Sequence, residues 1–234
     1  MLCAAIVTAG GYGARMAAAL PKQYLVMEGA PILARTLRAF EDHALIARIV
    51  VTVPPGDEEF CWAQIVARFD LKKVGAVVAA GRTRQQSVFN GLQSLAAEEL
   101  VAIHDGVRPL VSEGVITETI KSAQTGGAAV ACVAVKDTVK RKNGLYLETI
   151  PRSDLWLAHT PQTFRTSLIV EAHQRALADG FEGTDDACLV ERLGHPVAVV
   201  EDTVDNIKIT TPADLERAVI MLRQRSEAVT VGSF

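Results

Sequence analysis

The chain has 234 residues, 49% apolar and 22% charged, with 24 basic against 27 acidic side chains for a formal charge of −3. That apolar share excludes a disordered polymer. The near-neutral charge excludes the broad basic field that holds a nucleic-acid backbone, so any phosphate site must be a local cluster of Lys and Arg. In chain order, residues 4–9 read as a buried strand that stops being apolar at Gly10. With no basic segment before it, this run matches neither a leader nor a membrane span, and cytoplasmic residence is the expectation. A helix follows over 31–43, with Ile32, Leu33, Thr36, Leu37 and Phe40 on one face. Strands are expected at 48–53, 75–80, 101–104, 128–135 and 197–200, with helices at 57–69, 84–100 and 112–125. Near the end Thr211 caps a helix with Pro212 at its first position, turning Leu215, Val219 and Leu222 to the core. This alternation predicts a mostly parallel sheet with helices on both faces. No repeat, low-complexity linker or composition break divides the chain, which reads as one domain over 1–234.

One segment stands apart. Residues 136–150 read as two strands around Asn143-Gly144, with polar and apolar residues alternating on each side. An isolated hairpin is marginal in water, so this arm, at about 136–157, should lie on another surface, and a homodimer contact is the expectation. The cysteines Cys3, Cys61, Cys132 and Cys188 are too widely spaced for a Cys-x-x-Cys unit and read as reduced, buried thiols.

Candidate chemistry gathers at strand ends. The first strand runs into Thr8-Ala9-Gly10-Gly11-Tyr12-Gly13-Ala14-Arg15-Met16, and Pro21-Lys22-Gln23-Tyr24 follows. Glycines there let backbone N–H groups approach phosphate oxygens, and Arg15 and Lys22 add cations. Bulky Met16 breaks the dinucleotide fingerprint, and no Gly-Lys-Ser/Thr P-loop occurs. Asp105, after the strand at 101–104, is placed either to hold Mg²⁺ or to cap a turn and pair with Arg108. Gly81 to Ser87 offers backbone donors and a hydroxyl at a helix start. Lys208 stands between Ile207 and Ile209 and is either solvated or part of a site. Thr160-Pro161-Gln162 and Thr184-Asp185-Asp186 read as turns and caps.

The ordered set of Pro21-Lys22-Gln23-Tyr24, Arg84-Gln85-Gln86-Ser87-Val88, His104-Asp105-Gly106-Val107-Arg108-Pro109, Thr160-Pro161-Gln162, Thr184-Asp185-Asp186 and Asp205-Asn206-Ile207-Lys208 resembles the 2-C-methyl-D-erythritol 4-phosphate cytidylyltransferases along nearly the whole chain. The resemblance implies a Rossmann-like nucleotidyltransferase domain that transfers CMP from CTP to a sugar-alcohol phosphate and releases pyrophosphate. It implies that Arg15 and Lys22 stabilise the reacting phosphates, that Lys208 binds near the α-phosphate, and that Asp105 supports Mg²⁺. Ala9, Gly10, Gly11, Gly13, Gly81, Ser87, Gly106 and Arg108 would form the CTP pocket. Thr138 and Arg152, from the arm of a second subunit, would meet the acceptor with Thr160 and Thr184. The chain departs from the family pattern at Gly10, usually Ala, at Gly106-Val107, often Ala-Ala, and at Arg82-Thr83, a stretch that is often acidic. A ribitol 5-phosphate cytidylyltransferase and a non-catalytic nucleotide-binding module are the competing readings.

Overall fold

A computed structural model describes residues 3–11, 20–95 and 98–231. Its spine is β1 (Cys3–Thr8), a strand buried on both faces, as a continuous apolar run in a covered parallel sheet must be. To one side lie β4 (Ile46–Val53) and β5 (Val74–Ala79), and to the other β6 (Leu100–Asp105). These four strands are parallel, so all their carboxyl ends emerge at one edge. The sheet continues through β10 (Trp156–Arg165), β7 (Ala128–Ala134) and β11 (Ala198–Glu201), giving seven strands in the order β11-β7-β10-β6-β1-β4-β5. Only β10 runs antiparallel to its neighbours.

Helices cover both faces, as the alternation predicts. One face packs α1 (Ile32–Glu41) and α4 (Glu113–Gly126) against Cys3, Ala5 and Val7, with Leu37, Phe40 and Ile116 fully buried. The other packs α3 (Arg84–Leu92), α5 (Thr166–Ala178) and α6 (Ala187–Arg192) against Ile6, Val101 and Ile103. Burying one such large apolar side chain contributes about 1.5–3 kcal/mol, so alternate residues of the same strand bind two helical layers. The helix expected at 57–69 is α2 (Glu58–Cys61) widening into a π-helical segment, Trp62–Ala67. The helix expected at 84–100 ends at Leu92. A ribbon of β2 (Val26–Met27) and β3 (Ala30–Pro31) and the helix α7 (Pro212–Val231) share a third cluster centred on Met27, Ile32, Val107 and Ile209. Thr211 and Asp214 cap α7 reciprocally: Asp214 N–H donates to Thr211 Oγ1 (3.2 Å) and Thr211 N–H donates to Asp214 Oδ2 (2.8 Å).

The segment around Thr160-Pro161-Gln162 is not a turn but the interior of β10, where the pairing with β7 shifts register between Ala158 and Gln162. Proline donates nothing to a ladder, and a register shift is where a strand tolerates one. The polar residues there are buried because neighbouring groups satisfy them, a circumstance hydropathy cannot register.

The arm forms a separate ribbon of β8 (Val139–Asn143) and β9 (Tyr146–Ile150). Its turn is Gly144-Leu145, one residue past the expected Asn143-Gly144, with Gly144 at φ +62°. Glycine at the first central position is what a II′ loop requires. Residues 140–149 are all exposed, Leu145 at 95% and Tyr146 at 80%. Trp156 and Leu157, at the end of the expected arm, already belong to β10. Among the described residues no helix is long and apolar enough to cross a membrane.

Candidate active site

The chain passes from β1 to β4 and β5 on one side, then returns to β6 on the other, which makes the carboxyl ends of β1 and β6 the topological switch point. Thr8 and Asp105 are register partners there, and Gly106 N–H donates to Thr8 O at 2.8 Å. A cavity of about 240 Å³ opens at this edge, lined by Ala9, Gly10, Gly11, Lys22, Gly81, Ser87, Asp105 and Lys208 among the expected residues. Thr8, Gln23, Arg82, Thr83, Arg84 and Val107 complete the described wall. Gly13 and Arg15 lie outside the described residues.

Two loops face each other across the cavity. Ala9 N–H donates to Thr52 O and Ala80 N–H to Val53 O, each at 2.7 Å, so both loops hang from consecutive residues of β4. A Cβ on Gly10 would lie 2.2 Å from Ala80 Cβ, so this chain has no room for the alanine common at position 10. Thr83 caps α3 by accepting from Gln86 N–H. Ser87 Oγ donates to Thr83 O (2.8 Å) and accepts from Gly81 N–H (3.0 Å), which fixes the loop's path.

Electrostatics centre on Asp105, 5% exposed. Its Oδ1 meets Arg84 Nε at 3.1 Å, and its Oδ2 meets Lys208 Nζ at 2.9 Å and Arg108 Nε at 3.4 Å. Burial alone would raise its pKa, but Arg84, Lys208 and Arg108 together hold the carboxyl well below the usual range. The pairing with Arg108 expected of a turn residue is present, and two further cations join it. Lys208 is not in a regular strand, yet its alternation with neighbours survives. Ile209 N–H donates to Val107 O, Ile209 is buried in the third cluster, and Lys208 turns the opposite way, into the cavity. Lys22 Nζ donates to Ile209 O at 3.3 Å, which brings the second cation to the same wall. Lys22, Arg82, Arg84 and Lys208 line the cavity against one carboxylate, so the described wall is cationic.

The other expected residues lie outside this lining. Arg108 is buried behind it, with Nη1 donating to Asn206 O at 2.6 Å. Gly106 forms the bend between Asp105 and Val107. Thr160 is buried, accepting from Asp105 N–H (3.1 Å) and donating to His104 Nδ1 (3.0 Å), because His104 Nε2 carries the proton that faces Arg108 O at 3.1 Å. Burial lowers the His104 pKa to about 4, so this imidazole is neutral. Thr184 sits exposed on the loop before α6, and Thr138 and Arg152 are exposed at the base of the arm, where Arg152 Nη1 donates to Lys136 O.

A divalent ion would find one carboxylate in the described lining, and no cluster of three or more His, Cys, Asp or Glu exists among the described residues. This suits Mg²⁺, which commonly takes one or two carboxylates and completes its shell with water and substrate phosphates. The pocket fits an ion carried in on a polyphosphate.

Sequence reasoning named neither Gln162 nor Asn206 as a site residue. Gln162 Oε1 accepts from Asp186 N–H (3.0 Å) and Ala187 N–H (2.9 Å), and Asn206 Nδ2 donates to Thr160 O (2.9 Å) and Asp202 Oδ2 (2.7 Å). An uncharged amide announces nothing until the chain segments it joins are known to meet.

The family model described as 2-C-methyl-D-erythritol 4-phosphate cytidylyltransferase matches residues 3–224. A protein of that name from Geobacillus kaustophilus is 50% identical over 94% of this chain and 97% of its own length. A solved 4-diphosphocytidyl-2C-methyl-D-erythritol synthase from Anaerococcus prevotii superimposes with a TM-score of 0.83 at 32% identity, covering 95% of this chain and 96% of that one. The Thermus thermophilus 2-C-methyl-D-erythritol 4-phosphate cytidylyltransferase gives 0.76 at 37% identity, covering 93% and 98%.

Proposed function

The chain belongs to the 2-C-methyl-D-erythritol 4-phosphate cytidylyltransferase family and carries out CTP-dependent cytidylyl transfer, and we propose that the cavity at the β1/β6 switch point is where this transfer occurs. The observation that carries the proposal is the convergence of Arg84 and Lys208 on one buried carboxylate, with Lys22 on the same cavity wall, beside two backbone loops. In the reaction a phosphate oxygen of methylerythritol 4-phosphate attacks the α-phosphorus of CTP. The bond from that phosphorus to the β-phosphate oxygen breaks, and pyrophosphate departs with the electron pair. The nucleophile is already ionised, so the protein needs no general base; its task is to offset charge and hold an in-line approach.

Lys22, with Arg15, stabilises charge on the α-phosphate and the departing pyrophosphate. Lys208, oriented by Asp105, holds the α-phosphate and the incoming phosphate together. Asp105 would hold a Mg²⁺ ion brought in with the triphosphate, and that ion would supply further charge neutralisation. The backbone of 9–11 and the Gly81 loop, stiffened by Ser87, receive cytosine and ribose, while Gly106 and Arg108 back them. Cytosine is selected because a uracil, with donor and acceptor exchanged, leaves buried partners unpaired. The acceptor phosphate is met by Arg152 of the partner subunit, with Thr138, Thr160 and Thr184 shaping the polyol site. A homodimer joined through the arm accounts for the exposed Leu145, Tyr146 and Leu147.

Pyrophosphate release with Mg²⁺, each of the four NTPs and methylerythritol 4-phosphate tests the reading. CTP alone should support turnover, and Lys208→Ala should reduce it by about 100-fold or more while the fold persists. Unchanged turnover in Lys208→Ala would remove the cavity from the reaction.

A further inference from the structure

Arg84 reaches beyond the cavity. From the first turn of α3 it contacts Asp105 with Nε, while its Nη1 meets Asp186 Oδ2 at 2.7 Å. Asp186 is only 1% exposed and does not line the cavity. It stands at the N-cap position of α6 yet makes no capping bond there; Asp185 does that, accepting from Cys188 N–H at 3.0 Å. The Asp186 carboxylate points instead at Arg84 and, at 3.4 Å, at His173 Nε2, whose ring stacks on Phe89 of α3. Burial works to raise the Asp186 pKa, but Arg84 and His173 prevail and hold it below the ordinary carboxylate range, so the group is an anion.

An ion pair with one partner buried is weak evidence for stability, because desolvation consumes much of the attraction, but it fixes geometry well. Around it the segment before α6 is laced to both sides of the site. Gly183 N–H donates to Gln85 Oε1 (2.8 Å), Gln85 Nε2 donates to Phe181 O (3.1 Å), and Gln162 Nε2 donates to Asp185 Oδ2 (2.8 Å). The guanidinium is thus the one charged link running from the carboxylate that orients Lys208 to the loop that carries Thr184, among the described residues.

We infer that Arg84 and Asp186 are positioning residues for the transfer, a buried clamp that sets the Asp105 carboxylate for Lys208 and registers the acceptor-side loop against the nucleotide pocket. The inference rests on the assignment of Lys208 and Thr184 to the active site. A planar fork engages two carboxylates at once, which a lysine's single ammonium cannot do in the same geometry. Losing the clamp therefore perturbs the acceptor and the chemical step together, and leaves the nucleotide loops alone.

The test uses the full chain with Arg84→Lys, Asp186→Asn and their combination, measuring kcat and both KM values by pyrophosphate release, with thermal melting beside them. Each single variant should lower kcat and raise the acceptor KM by about tenfold, with the CTP KM within about threefold of the parent. Because both act through one clamp, the double variant should be no worse than the poorer single one. Asp186→Asn keeps the side-chain shape and carries the test should Arg84→Lys not yield folded protein. Parental kinetics in the folded variants, multiplying effects in the double variant, or a loss confined to melting temperature would overturn the inference. An inactive parent protein would instead overturn the assignment of the reaction.

Discussion

Replacing Gly10 by Ala probes how tightly the nucleotide cradle is built. The new Cβ would stand 2.2 Å from Ala80 Cβ. Carbon atoms settle at about 3.5–4.0 Å, so the two loops must part by roughly 1.5 Å. No rotamer change relieves this, since both methyls are rooted on backbone, and both backbones are tied to β4 through Ala9 N–H on Thr52 O and Ala80 N–H on Val53 O. Overpacking of this kind costs about 1–3 kcal/mol, which lowers the melting temperature of a chain of this size by about 3–9 °C. Because Gly10 and Gly81 both line the cavity, parting the loops also weakens CTP binding, by about tenfold if some 1.4 kcal/mol is lost there. Ala80→Gly moves the space to the other side of the same contact, so Gly10→Ala combined with Ala80→Gly should recover most of both losses. Scanning calorimetry and isothermal titration with CTP read the two effects. Parental melting and affinity in Gly10→Ala, or a double variant no better than it, would refute the reasoning.

Further outcomes follow from the arm, a buried carboxylate and the thiols. Serine at Leu145, Tyr146 and Leu147 together should yield a monomer in sedimentation and weaken acceptor binding by about 10–100-fold, the worth of one charge-assisted phosphate contact, before CTP affinity changes; a proven monomer with intact acceptor affinity would exclude the shared site. Burial works to raise the Asp202 pKa, but hydrogen bonds from His159, Asn206 and Thr203 N–H outweigh it and hold the group below its ordinary 3.8. Its folded pKa is thus below the unfolded one, so its stabilisation is complete above about pH 4 and fades as pH falls through the folded value. Asp202→Asn should flatten the acid limb of stability measured in urea, and an unaltered limb would contradict this. Burial pushes the Cys3 and Cys61 thiols up to about 12, so a thiol reagent at pH 8 should leave both unmodified until denaturant is added, while half-buried Cys188 reacts first. Early modification of Cys3, read by peptide mapping, would contradict the core packing.

Periodicity and strand-end composition carry far in this chain. The apolar runs at 4–9 and 48–53, the amphipathic face of α1 and the Thr211 cap are local properties, set by neighbours within a turn or a strand, so they are legible without coordinates. The glycine loop and Asp105 are legible for a related reason: parallel strands deliver their carboxyl ends to one edge, and residues just past those ends gather there, whereas spacing left Lys208 open and only the family resemblance assigned it to the site. What only the tertiary structure decided is which polar groups satisfy one another over long sequence separations. Thr160-Pro161-Gln162 looks like a turn because its polarity is paid for by His104, Asp185 and Asp186, which no local window contains. Asp186 looks like a cap, and becomes part of a clamp only because α3 and α6 meet across the second face of the sheet. Gly10 looks interchangeable with Ala until Ala80, seventy residues on, occupies the space. Charge told a similar story: a near-neutral total predicted no broad basic surface, and folding brought Lys22, Arg82, Arg84 and Lys208 to one cavity wall, with Arg84, Lys208 and Arg108 meeting Asp105, because a buried carboxylate is tolerated only where such cations reach it.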